Sequence, residues 1–328
     1  MDTINVSVVI VNWNTEDLLH KCLKSIKDNT SGVRYEIIVI DNNSADGSTE
    51  MMKREFPDCK LIESRENLGF AKGNNRALKE ASGEYILFLN PDTELITNAL
   101  YGMFKFLENK PEYGAVGCKL LNEDGSIQFT CARKFPTPFN QFCFLSLLDR
   151  LFPKTEFFSS SEMSYWDHCG SRNIDCLSGA CIMARKTIID WIGGFSEDYF
   201  MYGEDVDLCY AIKTSGWLIY YLTDEQIYHY SGASSSQIND KSFSAVLQRD
   251  SNQIFMKKNY NTMKAIEYRV SVFLGSLIRV IVIATFLPFV VIRKSYSINL
   301  YKYSLKKYFN LILWSLRMKS TQINVKYL

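Results

Sequence analysis

VSVVIVNWNTEDLLHKCLKSI, residues 6–26, joins a continuous apolar run to a stretch with helical spacing. Val6–Val11 is almost free of polar interruption, as expected of a strand buried on both faces. The turn Asn12-Trp13-Asn14 follows. Thr15 is then the expected N-cap of a helix that carries Leu18, Leu19, Cys22, Leu23 and Ile26 on one face. The same pairing recurs. Glu36–Ile40 is a second apolar strand, closed by Asp41-Asn42-Asn43-Ser44 and a short helix to Glu55. Lys60–Glu63 is a third, followed by ENLGFAKGNNRALKEASG (66–83), a polar loop opening a helix that stops near Gly83. Glu84–Leu89 is a fourth and ends in Asn90-Pro91-Asp92.

Strand–helix alternation with apolar strands predicts an α/β fold, a mostly parallel sheet flanked by helices. Such sheets bind ligands at the carboxyl ends of their strands. Those ends carry Asn12, Asp41 and Asp92, and the loop after the third strand adds Asn67. Each alone is an ordinary turn residue; together they mark one polar edge. Neither GxGxxG nor a Walker sequence follows the first strand, so two common phosphate cradles are absent. Asp92, stiffened by Pro91, is instead placed to hold a divalent cation against a diphosphate.

The net charge of +1 over 328 residues hides an asymmetry. From Lys257 onward thirteen Lys or Arg face one acid, Glu267, giving +12 and leaving −11 for the rest. A negative body argues against nucleic acid as partner, and the positive tail points to an anionic membrane surface. Nine cysteines lie between Cys22 and Cys209 with no CxxC pair, which fits buried thiols in a reducing compartment rather than zinc or disulfides. No cationic n-region precedes the first strand, so no signal peptide is expected.

VSVVIVNWN (6–14), VIDNNSADGS (39–48), ENLGFAKGNN (66–75) and FLNPD (88–92), in that order, resemble family-2 glycosyltransferases of GT-A fold, in the rhamnosyltransferase-like branch. LSGACIMARK (177–186), WIGGF (191–195), FMYGEDVDL (200–208) and IYHYSG (227–232) extend the resemblance over roughly residues 5–235. It implies a nucleotide-sugar site comprising Asn12, Trp13, Asp41, Asn43, Asn67, Lys72, Asn90 and Asp92, with Asp41 contacting the base. It also implies a metal, Mn²⁺ or Mg²⁺, held by Asp92. Asn90 stands where the family's usual DxD has its first Asp, so a two-carboxylate grip is not available and metal dependence is expected to be weaker.

YGEDVDLCYAIKTSGW (202–217) places Glu204, Asp205 and Asp207 in a first helical turn, where acids are favoured for structural reasons alone. By resemblance to the family's ED pair, Asp205 is the catalytic base of an inverting transfer. Glu204 then orients it or binds an acceptor hydroxyl, and Asp207 stays structural. His229, expected just after a strand Trp217–Leu222, is either a structural group or a second metal ligand. His20 and His168 have no comparable setting, and no GxSxG elbow supports a hydrolase. Gly114–Leu121 reads as a strand, LNEDGSIQ (121–128) as a hairpin and Asp175–Ala184 as another strand. Aromatic, aperiodic residues 135–166 read as a loose surface segment or an acceptor-binding flap.

Val270–Ile292 is long enough to span a bilayer, but Arg279 at its centre costs about 2.5–3.5 kcal/mol on insertion. Pro288 interrupts it and Arg293-Lys294 follow. In residues 296–319 an apolar stripe of Leu300, Tyr301, Leu305, Tyr308, Phe309 and Ile312 runs beside Lys302, Lys306 and Lys307, as in an interfacial helix. The expectation is a separable, membrane-associating helical tail, 257–328, attached to the cytoplasmic face of the cell membrane without a full span; a soluble helical cap is the alternative. It would follow a catalytic domain, 1–256, divided into a nucleotide-sugar-binding half (1–110) and an acceptor-binding half (111–256). The implied partners are a nucleotide-diphosphate sugar donor and a lipid-linked or oligosaccharide acceptor, in cell-surface polysaccharide synthesis. A sugar nucleotidyltransferase and a non-catalytic membrane-attached carbohydrate-binding protein are the alternatives. The first would want a Gly-rich basic loop after strand one, and the second would be marked by loss of the acids.

Overall fold

The computed structural model describes residues 3–199, 201–230, 241–292 and 298–318. Phe200, Ser231, Gly232, Arg293 and Lys294 lie outside the described residues, as do the side chains of Pro288 and Leu300. The chain forms two compact units, each discontinuous: residues 1–135 with 167–237, and residues 136–166 with 238–328. This division differs from the expected boundary after residue 256.

The first unit opens with β1 (Val6–Asn12), α1 (Glu16–Asn29), β2 (Tyr35–Asp41), α2 (Ser48–Glu55), β3 (Lys60–Glu63), α3 (Gly69–Leu78) and β4 (Tyr85–Leu89). These match the expected alternation. A short β5 (Thr93–Leu95), α4 (Ala99–Asn109), β6 (Tyr113–Leu121) and β7 (Ala132–Arg133) follow. After the excursion into the second unit come β8 (Arg172–Asn173), β9 (Cys176–Leu177), β10 (Cys181–Arg185), α8 (Lys186–Ile192), α9 (Glu204–Thr214) and β11 (Leu218–His229). The sheet runs β3-β2-β1-β4-β10-β6-β11-β5, with β8 also on β11. Strands β3, β2, β1 and β4 are mutually parallel, as are β6 and β11; β10 runs antiparallel between β4 and β6. Val6, Val8, Val9 and Ile10 of β1 have no exposed surface, as strands covered on both faces require.

Four local differences from the sequence reading matter for function. Thr15 does not cap α1 with its side chain; its hydroxyl donates to Asn12 Oδ1 (2.7 Å), and Asp46 from the β2–α2 loop accepts the Glu16 N–H (2.8 Å). The strand expected over Asp175–Ala184 breaks into β9 and β10 at Ser178-Gly179-Ala180, where Cys181 N–H bonds Ser178 O (3.2 Å). β11 does not stop at Leu222. A bulge absorbs the polar Thr223-Asp224-Glu225, and pairing with β6 resumes at Gln226↔Lys119. Residues 136–166, expected to be aperiodic, contain the helices α5 (Pro138–Ser146), α6 (Leu148–Leu151) and α7 (Glu156–Ser159). Thr137 begins α5 with a complete capping box.

In the second unit these helices share a core with the C-terminal ones, Lys241–Phe255, Thr262–Ile292 and Ile298–Ser315. Leu145, Val246, Met256, Ala265, Tyr268, Val272, Leu311 and Trp314 form that core. The tail is therefore not separable at residue 257, because α5 contributes Leu145 to the same cluster. Gly275 is required where the long helix crosses α5, since a Cβ there would meet Leu145 Cβ at 2.6 Å. Arg279 is satisfied within the unit: its Nε donates to Leu145 O (2.7 Å) and an Nη to Phe144 O (3.2 Å), at the last turn of α5. On the C-terminal helix the buried positions are Asn310, Leu311 and Trp314, not the expected stripe, of which Phe309 is 56% exposed.

Gly83 precedes β4 and has no room for a side chain: a Cβ would lie 2.6 Å from the Ser7 backbone nitrogen and 2.8 Å from the Val6 carbonyl carbon. Gly83→Ala should force β1 and β4 apart and cost about 1–3 kcal/mol. Gly170→Ala, in open space, should stay within about 0.5 kcal/mol. Urea unfolding of both variants measures the difference.

Candidate active site

At the carboxyl ends of β1 and β2 the register places Asn12 opposite Asp41. Asn12 Nδ2 donates to Asp41 Oδ1 (2.8 Å), and the Ser44 N–H donates to Asp41 Oδ2 (2.8 Å). Asn12 and Asp41 are buried, so their first task is to shape the β2–α2 turn. Trp13 beside them is half-buried, and Asn43, with φ 63°, is exposed at the tip of that turn. Asn67 Oδ1 accepts the Gly69 N–H (2.9 Å) at the start of α3, and Lys72 projects from that helix into solvent.

Asp92 and His229 meet although 137 positions separate them in the chain. The cause is β5, which starts immediately after Asp92 and pairs antiparallel with the end of β11 in the register Thr93↔His229. His229 Nε2 then lies 3.4 Å from Asp92 Oδ1, with both side chains nearly buried, and Asn90 Nδ2 is 3.5 Å from the same nitrogen. Gln128 settles the ring's proton. Its amide nitrogen, Nε2, donates to His229 O (2.6 Å), so its Oε1 is the atom that accepts from His229 Nδ1 (2.9 Å). A neutral ring held this way carries its lone pair on Nε2, facing the carboxylate. Two such groups are compatible at this distance only with a proton or a cation to share. Among the described residues no three His, Cys, Asp or Glu side chains gather to hold a metal. Asp92 and His229 thus fit as two ligands of a divalent ion whose other positions are left to water and diphosphate oxygens. Cys22, buried under the Asn90–Asp92 turn, is a neutral thiol, pushed up to about 12 chiefly by burial.

The third group stands at the start of α9. Gly203, at φ 89°, turns the chain into the helix. Asp205 Oδ2 accepts from an Arg133 Nη (2.7 Å) and from the Gly179 N–H (3.1 Å), while Oδ1 accepts from the Val206 N–H (2.8 Å). Glu204 is 8% exposed and its Oε2 is buried with no hydrogen-bond partner among the described residues. Burial first, then the neighbouring Asp205 charge, pushes its carboxyl up to about 8. Asp207 accepts from the Tyr199 hydroxyl (3.1 Å) and is buried, in keeping with a structural role.

The Ser178–Ala180 turn joins the second and third groups, because Ala180 O accepts from the Asn90 N–H (3.0 Å) while Gly179 N–H holds Asp205. A Cβ at Gly179 would lie 3.3 Å from Asp205 Cβ, so a small residue keeps the carboxylate in place. A cleft lined by Asn122, Glu123, Asp124, His229 and Tyr230 opens beside the Asp92–His229 pair. Sequence reasoning missed Gln128, Arg133 and Gly179 as supporting groups; a Gln and an Arg at no recognisable spacing carry no signal until β7, β9 and β11 bring them together.

Residues 7–189 match the profile of glycosyl transferase family 2. The chain is 26% identical over 241 residues to N-acetylglucosaminyl-diphospho-decaprenol L-rhamnosyltransferase of Mycobacterium tuberculosis, covering 70% of this chain and 77% of that one. It is 27% identical over 247 residues to rhamnosyltransferase WbbL of Escherichia coli K12, covering 73% and 88%. A match of 28% identity to O-antigen biosynthesis protein RfbC of Myxococcus xanthus covers 71% of this chain and spans only 18% of that longer protein. In fold it is similar to the mannosyltransferase PcManGT of Pyrobaculum calidifontis, solved with GDP-Man and Mn²⁺ (TM-score 0.56, 17% identity, 98% and 89% covered). It is also similar to residues 1–349 of S. aureus TarS (TM-score 0.51, 16% identity, 96% and 92% covered). With more than half of its length matched, the chain belongs to glycosyl transferase family 2, and rhamnosyltransferases are among the members it is similar to.

Proposed function

We propose that this glycosyltransferase works with inversion, moving a sugar from a nucleotide-diphosphate donor to a lipid-linked glycan acceptor at the cytoplasmic face of the membrane. The observation that carries the reading is the Ser178–Ala180 turn, which ties Asp205 to the Asn90–Asp92 segment on one edge of the sheet. The acceptor hydroxyl oxygen attacks the anomeric carbon as the bond from that carbon to the diphosphate oxygen breaks. The electron pair leaves with the nucleoside diphosphate, and the hydroxyl proton passes to Asp205. Asn12, Trp13, Asp41, Asn43, Asn67, Lys72 and Asn90 line the donor side in this reading. Asp92 and His229 would hold Mn²⁺ or Mg²⁺, which supplies neutralisation of the departing diphosphate. The Mn²⁺ in the PcManGT complex supports a metal here, and the rhamnosyl relatives make dTDP-rhamnose the first donor to test, with UDP-hexoses second.

The second unit supports the lipid-linked acceptor. On the helix Thr262–Ile292, residues Met263, Ile266, Val270, Leu274, Leu277 and Ile281 repeat every three or four positions, and all are more than a third exposed. Residues 262–286 form a helix apolar enough to cross a membrane, with mean hydropathy 1.9, and one such helix is weak support by itself. Because Arg279 is bound to the carbonyls of α5, contact with one leaflet agrees better with the packing than a span. The diphospho-decaprenol in the mycobacterial relative's name favours the same acceptor class.

Asp205→Asn should bind UDP or dTDP normally and lose transfer 10²–10⁴-fold, the typical worth of a general base of about that size. A loss under about tenfold in single-turnover assays would move the base elsewhere. In titration calorimetry, Asp92→Ala and His229→Ala should weaken dTDP or UDP binding about tenfold or more with Mn²⁺ and little with EDTA, and Gln128→Ala should follow them. Intact Mn²⁺-dependent binding in all three would remove the metal from this edge. Val270→Glu with Ile281→Glu should abolish sedimentation with phosphatidylglycerol vesicles while leaving the melting temperature nearly unchanged, since both residues are exposed. Undiminished sedimentation would exclude that face from membrane contact.

A further inference from the structure

We propose that Arg133 is a positioning residue that assigns proton acceptance to Asp205 and withholds it from the adjacent Glu204, an inference that rests on the transfer reaction proposed above. Two neighbouring carboxylates at the start of one helix compete for the same proton, and nothing in their sequence distinguishes them. Their surroundings do. Asp205 has both oxygens bonded, one to Val206 N–H and the other to Gly179 N–H and the guanidinium of Arg133, and all three donors favour its ionised form. Glu204 is buried and its Oε2 has no partner among the described residues; its own backbone N–H and the more distant charge of Arg133 favour its ionised form, but burial and the Asp205 charge outweigh them.

Arg133 is built for this purpose more than for packing. It ends the two-residue strand β7, which is held by β9 through Arg133↔Cys176, so the guanidinium is delivered from a sheet edge onto the start of α9. It is four-fifths buried, its bonds go to Asp205 and, at 3.4 Å, to Leu177 O, and its Nε is buried without a partner among the described residues. The other titratable groups around the pair are Cys176 of β9, Cys209 and Asp207 of α9, and Tyr199 and Asp198 before it. Cys176 is kept a neutral thiol by burial and by its contact with Cys209, and the Tyr199 phenol is held protonated by burial and by Asp207. With Arg133 present, the proton lost by the acceptor hydroxyl is taken by Asp205, while Glu204 keeps its own and can donate a hydrogen bond to a sugar hydroxyl.

The test uses the full chain and two readouts. Infrared spectra in D₂O should show a protonated carboxyl band at pH 7 that disappears in Glu204→Gln. In Arg133→Gln that band should shift or broaden as the two acids come to share a proton. With dTDP-rhamnose and UDP-glucose as donor probes, Arg133→Gln should lower kcat about 10- to 100-fold at pH 7 with donor KM nearly unchanged, and move the acidic limb of the pH–rate profile upward. Arg133→Lys, which keeps the charge and loses the planar fork, should recover part of both. A band that survives Glu204→Gln, or one that Arg133→Gln leaves unchanged, overturns the proposal. So does a loss of activity that tracks the melting temperature with the pH profile unmoved. Should the full chain turn over neither donor while the infrared spectra behave as stated, the transfer reading fails and the division of charge by Arg133 stands.

Discussion

Strand β1 is buried on both faces, and that constraint organises the first unit. A strand with helices above and below can hold a polar side chain along its length only where it is paired, as the Ser7 hydroxyl is with Glu36 (2.6 Å), because an unpaired polar group there would cost several kcal/mol, roughly 2–7 by transfer measurements. Chemistry is pushed to the carboxyl ends. Asn12 and Asp41, at adjacent strand ends, satisfy each other and shape the turns that follow. The metal-competent pair and the acid pair lie at the same edge because the antiparallel β10 and the long β11 return the chain to it.

Two irregularities carry much of the site. The bulge after Leu222 lets β11 continue long enough for His229 to reach Thr93, and so Asp92. The break between β9 and β10 puts Gly179 under Asp205 and Ala180 against Asn90. A regular strand at either place would leave the same residues present and the site unassembled. Local departures from regular pairing at functional edges are a recurrent device for re-aiming side chains.

The second unit solves a different problem. Its helices come from two distant parts of the chain; the C-terminal helices supply most of the apolar core, and α5 adds Leu145 to it beside Tyr268 and Trp314. Arg269 stacks on Trp314 at 4.6 Å and bonds the carbonyls of Trp314 and Ser315, while Arg279 does the same service for α5. Two cations that look out of place in an apolar stretch are thus consumed by helix ends. The opposite face of the long helix is left apolar and exposed, over several turns.

Much was legible in the sequence by itself: the order of the first four strands and helices, the polar carboxyl edge, the catalytic-acid candidates, the family, and the charge of the tail. These follow from local patterns, since burial on both faces writes an apolar run and a turn writes Asn, Asp and Gly. Tertiary structure decided the rest. The hydroxyl of Thr15 goes to Asn12 rather than to a cap, Gln128 fixes the ring of His229, and Arg133 separates Glu204 from Asp205. Residues 136–166 pack as helices with the C-terminal helices, which supply most of the core that Leu145 joins. Each of these contacts joins residues by strand register or helix packing across long sequence distances, and neither period nor composition encodes which partner will arrive.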